Sequence, residues 1–313
     1  MSNLKEVRTR IQSIRSTRQI TSAMKMVSAS KLHKSQQALI KVRHYNDLLK
    51  KLLDQLMLQP GLANLHPFTI DHGAKQVLVI SVASNKGLCG TYNAMVLKRT
   101  LAHIQTLKKH QLDYQLLLIG KKNDSFFKKS KHEIFATNHE ILDHLTLDQS
   151  KMISRNISEA FIKETFDRVD VVYNRFKNAV VQELVVEQLL PFPTANSLAD
   201  INIPDIFDSF QDEMYNSEEI DPMPYDPKKY ILEPDLQAVM DYLMPLIFNT
   251  NLYRVLLDSS ASEHGARMTS MHKATDNADD LLKSLTLDYN KVRQSMITRE
   301  IMEITGGAEV LNQ

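Results

Sequence analysis

Residues 4–58, LKEVRTRIQSIRSTRQITSAMKMVSASKLHKSQQALIKVRHYNDLLKKLLDQLML, contain neither proline nor glycine, and helix-forming side chains dominate them. Leu4, Val7, Ile11 and Ile14 recur at 3-4-3 spacing, and Ala38, Val42, Tyr45, Leu49, Leu52 and Leu56 at 4-3-4-3-4, the period of a helix that buries one stripe. Between these blocks the same seam carries Thr21, Ser28 and Ser35, which are small and polar. The pattern predicts one helix on the order of 80 Å long, too long for a compact domain. Pro60-Gly61 ends it.

The far end of the chain repeats the design. Ala278, Leu282, Leu285, Tyr289, Val292 and Met296 follow 4-3-4-3-4, and Ile297, Ile301 and Ile304 continue after a shift of face. Pro234 is expected near the start of this helix, Pro245 to kink it early, and Gly306-Gly307 to loosen its last turn. Two long helices at opposite ends of one chain can close each other's seams as an antiparallel coiled coil; the alternative is that each packs on a globular core.

The middle reads as α/β. Gln76–Ala83 and Tyr114–Gly120 are apolar, β-branched or leucine-rich runs expected as buried strands, with a helical period over Tyr92–Leu107 between them. A helix over about 148–166 precedes Asp170–Phe176 and Val180–Leu190, which read as a hairpin around Lys177-Asn178-Ala179. Such alternation predicts a Rossmann-like, mostly parallel sheet with an antiparallel edge. The expected division is a coiled-coil helix at 1–60, an α/β domain at 74–192, an acidic, proline-containing insertion or linker at 193–230, and a second coiled-coil helix at 231–313.

The 313 residues suffice for a sizeable core; 43% are hydrophobic and 24% charged, ordinary for a globular protein. No apolar run approaches the ~18 residues of a membrane-spanning helix. One cysteine, Cys89, excludes an internal disulfide framework and a multi-cysteine zinc site. The net charge of +1 hides an asymmetry: residues 1–45 hold ten basic side chains against Glu6 alone, and 196–226 hold nine acids and no base. Unlike charges at different ends point to several differently charged partners. The basic amphipathic pattern at the start outlasts a targeting presequence, so it reads as mature structure.

Ser84-Asn85-Lys86-Gly87-Leu88-Cys89-Gly90-Thr91 follows a strand and precedes a helix, where phosphate loops sit. It nevertheless matches neither G-x-x-x-x-G-K-[ST] nor G-x-G-x-x-G, and reads as a tight structural turn through Gly87, Cys89 and Gly90. Cys89 lacks a Cys-His signature and is expected in packing. The eleven histidines show no metal-ligand spacing; His33, His44, His264 and His272 fall on helices as expected surface residues. The acid cluster lacks a D-x-D-x-D-G loop for calcium. The basic helix lacks interleaved aromatics, which weakens a nucleic-acid reading. Nothing assembles a catalytic site, and no cofactor is expected.

Four blocks in order, Ile20–Lys31, Ser84–Gly90, Ala261–Met268 through Ala274–Ala278, and Tyr289–Gln294 through Gly306-Gly307-Ala308, resemble the gamma subunit of F-type, bacterial ATP synthases. The resemblance implies a non-catalytic central-stalk rotor. Its paired helices stand inside a hexamer of alternating alpha and beta subunits, and its α/β domain rests against epsilon and the membrane ring of c subunits. It further implies a peripheral protein on the cytoplasmic face of the bacterial inner membrane, serving proton-driven ATP synthesis, with no nucleic acid and no small-molecule substrate of its own. By residue, it implies beta-subunit contacts for Met24, Lys86, Lys98, Arg293 and Gln294. Lys86 replaces the family's usual arginine and loses the planar fork, and Asn85-Lys86 stands for the familiar Asp-Arg. The small Thr21, Ser28 and Ser35 and the soft Met24 and Met26 suit a bearing that must release each contact as it turns. The rival reading is a basic coiled-coil adaptor or nucleic-acid binder.

Overall fold

The computed structural model describes residues 4–57, 66–70, 73–192 and 233–311; the acidic stretch 193–230 lies outside them. Two helices dominate: α1 (Leu4–Met57) and α5 (Leu236–Leu311). They run antiparallel, tied by Arg18–Asp279 at 2.5 Å, Thr275–Thr21 at 2.9 Å, Ser35–Ser260 at 3.3 Å and Asn46 to the Thr250 carbonyl at 3.2 Å. Each step back along α1 matches an equal step forward along α5. On this register Leu4 faces Val292, Val7 faces Tyr289, Ile11 faces Leu285 and Ile14 faces Leu282, so the two apolar blocks read from the sequence meet each other. Among the described residues α1 offers no counterpart beyond Val292, and the last turns of α5 project as a single helix.

The seam departs from the expected phase in one place. Leu32, Leu39, Asn46 and Leu53 are buried, whereas Tyr45 is 45% exposed. The stripe thus runs one residue later than Ala38, Tyr45 and Leu52. Asn46 takes the seam position and donates to the Thr250 carbonyl and to Asn251 Oδ1, which is how a buried amide is accommodated. Met296, expected on the seam, is 46% exposed because it lies past the end of α1. Thr21 and Ser28 are buried as expected. Proline 245 sits inside α5 on its exposed side, and the helix runs through it; it also runs through Gly306-Gly307 to Leu311.

Between the helices the chain builds β1 (Gln76–Val82), α2 (Tyr92–Lys109), β2 (Asp113–Ile119), α3 (Lys121–Phe127), β3 (Ile134–Asn138), α4 (Leu147–Ile162), β4 (Arg168–Phe176) and β5 (Gln182–Leu190). The sheet order is β3-β2-β1-β4-β5, parallel except for the β4–β5 edge pair. The antiparallel edge agrees with the sequence; α3 and β3 were not visible there. β1 is buried on both faces, as a central parallel strand should be. Val77 and Val79 face α2 with Ile104 and Leu107. Leu78, Ile80 and Val82 face the side that holds α4, the foot of α1 (Leu49, Leu53, Leu56) and the start of α5 (Met240, Leu243, Ile247). Burial of these side chains, worth roughly 1.5–3 kcal/mol each, fixes the coiled coil upright on one face of the sheet.

Candidate functional site

Because β1 lies between β2 and β4, the chain leaves it in one direction toward β2 and β3 and returns on the other side to β4. The carboxyl ends of β1 and β4 flank the crevice where open α/β sheets hold ligands. Here α5 fills it. Ser262 Oγ donates to the Asn174 carbonyl at 2.9 Å, and the Tyr92 hydroxyl reaches the Ser259 carbonyl at 3.1 Å and Oγ at 2.6 Å. Burial pushes the Tyr92 hydroxyl far above its ordinary pKa, with Glu263 adding to the shift, so it stays a neutral donor.

The loop after β1 is closed on itself. Ser84 Oγ donates to the Lys86 carbonyl at 2.6 Å, Asn93 Oδ1 accepts from the Ser84 N–H at 3.0 Å, and Asn93 Nδ2 donates to Cys89 Sγ at 3.1 Å. Cys89 is buried, in agreement with a packing role. Asn85 bridges to the next loop, donating to the His139 carbonyl and accepting from the Lys121 N–H. From the other side Arg267 on α5 donates to the carbonyls of Lys86 and Gly87 at 3.0 and 3.2 Å, while Glu263 braces it at 2.7 Å. Gly90 has φ +60, and a Cβ there would lie 2.9 Å from Ser270 Oγ. The carbonyls of Ser84, Lys86, Gly87 and Cys89 all accept hydrogen bonds within the protein, so the loop is a turn braced from both sides.

Glu263 is pulled in two directions: burial raises its pKa and Arg267 lowers it, with the rise winning. His264, expected at the surface, is instead half-buried. Burial, then Arg267, then Lys31 lower its pKa to about 4. Its Nδ1 faces Arg267 Nη1 at 3.4 Å, which suits a neutral ring accepting there.

The sequence-derived positions fall into two levels. Lys86 and Lys98 are exposed, on the loop and on α2. Met24 is half-buried on α1 and, by the register, faces the turn of α5 just beyond the loop clamp. Arg293 and Gln294 are exposed on α5, about 30 Å farther along the shaft at 1.5 Å per residue. Met24 and Lys86 thus lie toward the sheet end of the coil and Lys98 on α2, and the Arg293–Gln294 pair lies well away along α5. Beyond that pair, Met296, Ile297, Ile301, Met302 and Ile304 are 46 to 71% exposed. Of the ten basic residues near the start, Arg18 and Arg43 pair with Asp279 and Asp258 on α5. Among the described residues there is no cluster of metal-ligating side chains and no helix long and apolar enough to cross a membrane.

A family model described as ATP synthase matches residues 3–311. The ATP synthase gamma chain of Flavobacterium johnsoniae is 40% identical over 312 residues and covers all of both chains. That of Amoebophilus asiaticus is 38% identical over 316 residues, again across all of both. Among solved structures, a chain of the Tetrahymena thermophila mitochondrial ATP synthase central stalk and c-ring superposes with a TM-score of 0.58 at 24% identity, covering 82% of this chain and 99% of that one. A chain of the Euglena gracilis mitochondrial ATP synthase gives 0.63 at 18% identity, covering 98% and 94%. These two likenesses are of fold.

Proposed function

This chain belongs to the ATP synthase gamma-chain family, and from that premise we propose that it is the non-catalytic central-stalk rotor subunit of a proton-driven synthase. In this reading 1–60 and 231–313 form the shaft, 74–192 the foot, and 193–230 a linker between foot and shaft. The foot meets epsilon and the ring of c subunits, and the shaft turns within alternating alpha and beta subunits. The chain itself binds no nucleotide and sits peripherally on the cytoplasmic face of the bacterial inner membrane.

The observation that carries this reading is the projecting end of α5. A lone helix exposing Met296, Ile297, Ile301, Met302 and Ile304 gains most from an enclosing apolar collar. Below it, Arg293 and Gln294 offer polar contacts to a beta subunit in one rotational state, and Met24, Lys86 and Lys98 offer a second set near the foot. Exposed ion pairs of the latter kind are worth ~0–1 kcal/mol each, suited to contacts that form and break every turn. The filled crevice above β1 and β4 supports the absence of catalysis by this chain alone.

Co-expression with alpha, beta and epsilon subunits is the test. The expected result is a stable complex with rotation-linked ATP hydrolysis, and no nucleotide turnover by the lone chain. Salt-sensitive nucleic-acid binding by the lone chain, with no such complex, would instead favour the adaptor reading.

A further inference from the structure

Where the coiled coil meets the antiparallel edge of the sheet, four charged side chains and one tyrosine join elements that the chain brings together from far apart. Asp258 is fully buried on α5 and lies 2.5 Å from Arg43 of α1. Arg43 also donates to the Phe176 carbonyl at 3.0 Å, while the Phe176 N–H donates to Asp258 Oδ1 at 3.2 Å. Both polar groups of the last residue of β4 are thereby held by the two helices at once. One turn earlier on α5, Arg254 reaches Glu187 of β5 at 2.5 Å and the Tyr173 hydroxyl of β4 at 3.2 Å, and it lies 3.5 Å from Asp258. The Tyr173 hydroxyl donates to Glu187 at 2.7 Å.

Burial opposes charge on Glu187, but Arg254, the Tyr173 hydrogen bond and Arg175 outweigh it and hold its carboxyl below the ordinary range. Glu187 is therefore held ionised beside Arg254. A buried ionic cluster of this kind seldom adds stability over apolar packing of equal volume. What it adds is direction. Apolar contact is non-directional and lets a helix roll against a sheet, whereas charge-assisted hydrogen bonds from one guanidinium to several elements fix angle as well as distance. Elsewhere among the described residues α5 ties to β4 and the β4–β5 turn through Ser262 to the Asn174 carbonyl and Thr269 to the Ala179 carbonyl, both single neutral bonds. The charged bonds of Arg267 go to the loop.

We propose that Asp258 and Arg254, with Arg43 and Glu187, form the torque-bearing junction of this protein, the place where turning force on the foot passes into both helices of the shaft. They are positioning residues, not contacts with a partner, and the proposal rests on the rotor reading above.

The assembled complex tests it. Asp258→Asn and Glu187→Gln remove charge with little change of shape. With the shaft held in its sleeve and a probe on the foot, each should double the angular variance and lower the load at which rotation stalls. Co-purification and unloaded ATP hydrolysis should stay at the wild-type level. The control is Ile247→Val, a core-thinning change away from the cluster, which should lower the melting temperature without softening rotation. Unchanged variance in an assembled charge variant, or equal softening by Ile247→Val, would overturn the junction while leaving the rotor reading intact. A wild-type complex that forms but does not rotate would overturn the rotor reading itself. If Asp258→Asn does not assemble, Glu187→Gln at the partly exposed edge of the cluster decides the matter.

Discussion

Arg267 on α5 holds the carbonyl oxygen of Lys86 at 3.0 Å, so the loop expected to meet a partner, although it leaves the sheet, is fixed by the long helix. The same guanidinium reaches the Gly87 carbonyl and Glu263. Lysine could keep the charge but not these three directions. Arg267→Lys should therefore cost about 1–3 kcal/mol and speed amide exchange over Lys86–Gly90 while leaving β1 protected. Unchanged protection in the loop would show that Arg267 does not hold it.

Gly120 closes β2 at φ +94, and a Cβ there would lie 2.1 Å from the Ala83 carbonyl oxygen at the end of β1. The obstacle is backbone, which cannot step aside. Gly120→Ala should lower stability by about 3 kcal/mol, seen as a lower urea midpoint at constant slope. A midpoint within error of the wild type would mean that the two strand ends are less tightly apposed than the structure has them.

The unfolded chain protonates His264 near its ordinary value of 6.5, whereas the folded chain resists until about 4. Below 6.5 the unfolded state therefore binds more protons, and stability falls as pH drops toward 4. The loss attributable to this ring should reach about 3 kcal/mol. Melting temperatures taken between pH 7 and pH 4.5 should fall less steeply in His264→Gln than in the wild type. Parallel curves would remove His264 as the cause.

In the isolated chain the coil around Thr21–Ser35 is held by small, hydroxyl-bearing contacts such as Thr21–Thr275 and Ser35–Ser260. Amide exchange there should be much faster than across Val77–Val82, whose side chains are buried. Equal protection in the isolated chain would contradict a weak middle.

Replacing Arg293 and Gln294 together by alanine spares the seam, since both side chains are exposed, and keeps helix propensity. The complex should assemble and bind nucleotide, with a penalty of about 1–3 kcal/mol confined to one rotational state. Single-molecule records should show a longer dwell at one angle within each third of a turn. Failed assembly, or unchanged dwells, would take these residues out of transmission.

The long helices were legible because an unbroken heptad stripe without proline or glycine has few other readings, and the buried strands because apolar runs mark parallel sheets. What escaped was whatever depends on partners distant in sequence. Asn46 is polar, so apolar periodicity passed over it and chose Tyr45, although only the amide of Asn46 could meet the Thr250 carbonyl across the seam. α3 and β3 sit in a lysine-rich stretch, KKNDSFFKKSKHEIFATN, where surface charge hides the few buried positions Asn123, Asp124 and Phe127. Neither Asp258 nor Glu187 is marked by any local pattern, and His264 read as a surface residue because only the fold brings the loop clamp over it. The tight turn at Gly87–Gly90 was readable as a turn; that α5 completes it was not.

Among the described residues α5 is unaccompanied beyond Val292, and this gives the shaft a taper, from about 20 Å across where two helices lie side by side to about 10 Å where one continues. A ring that closes snugly on the single helix cannot slide down over the pair, and none that fits the pair can pass the sheet. In the rotor reading proposed above, the narrow end leads into such a ring and the width of the foot limits how far it goes in. In that reading one offset of helix lengths sets the depth of insertion.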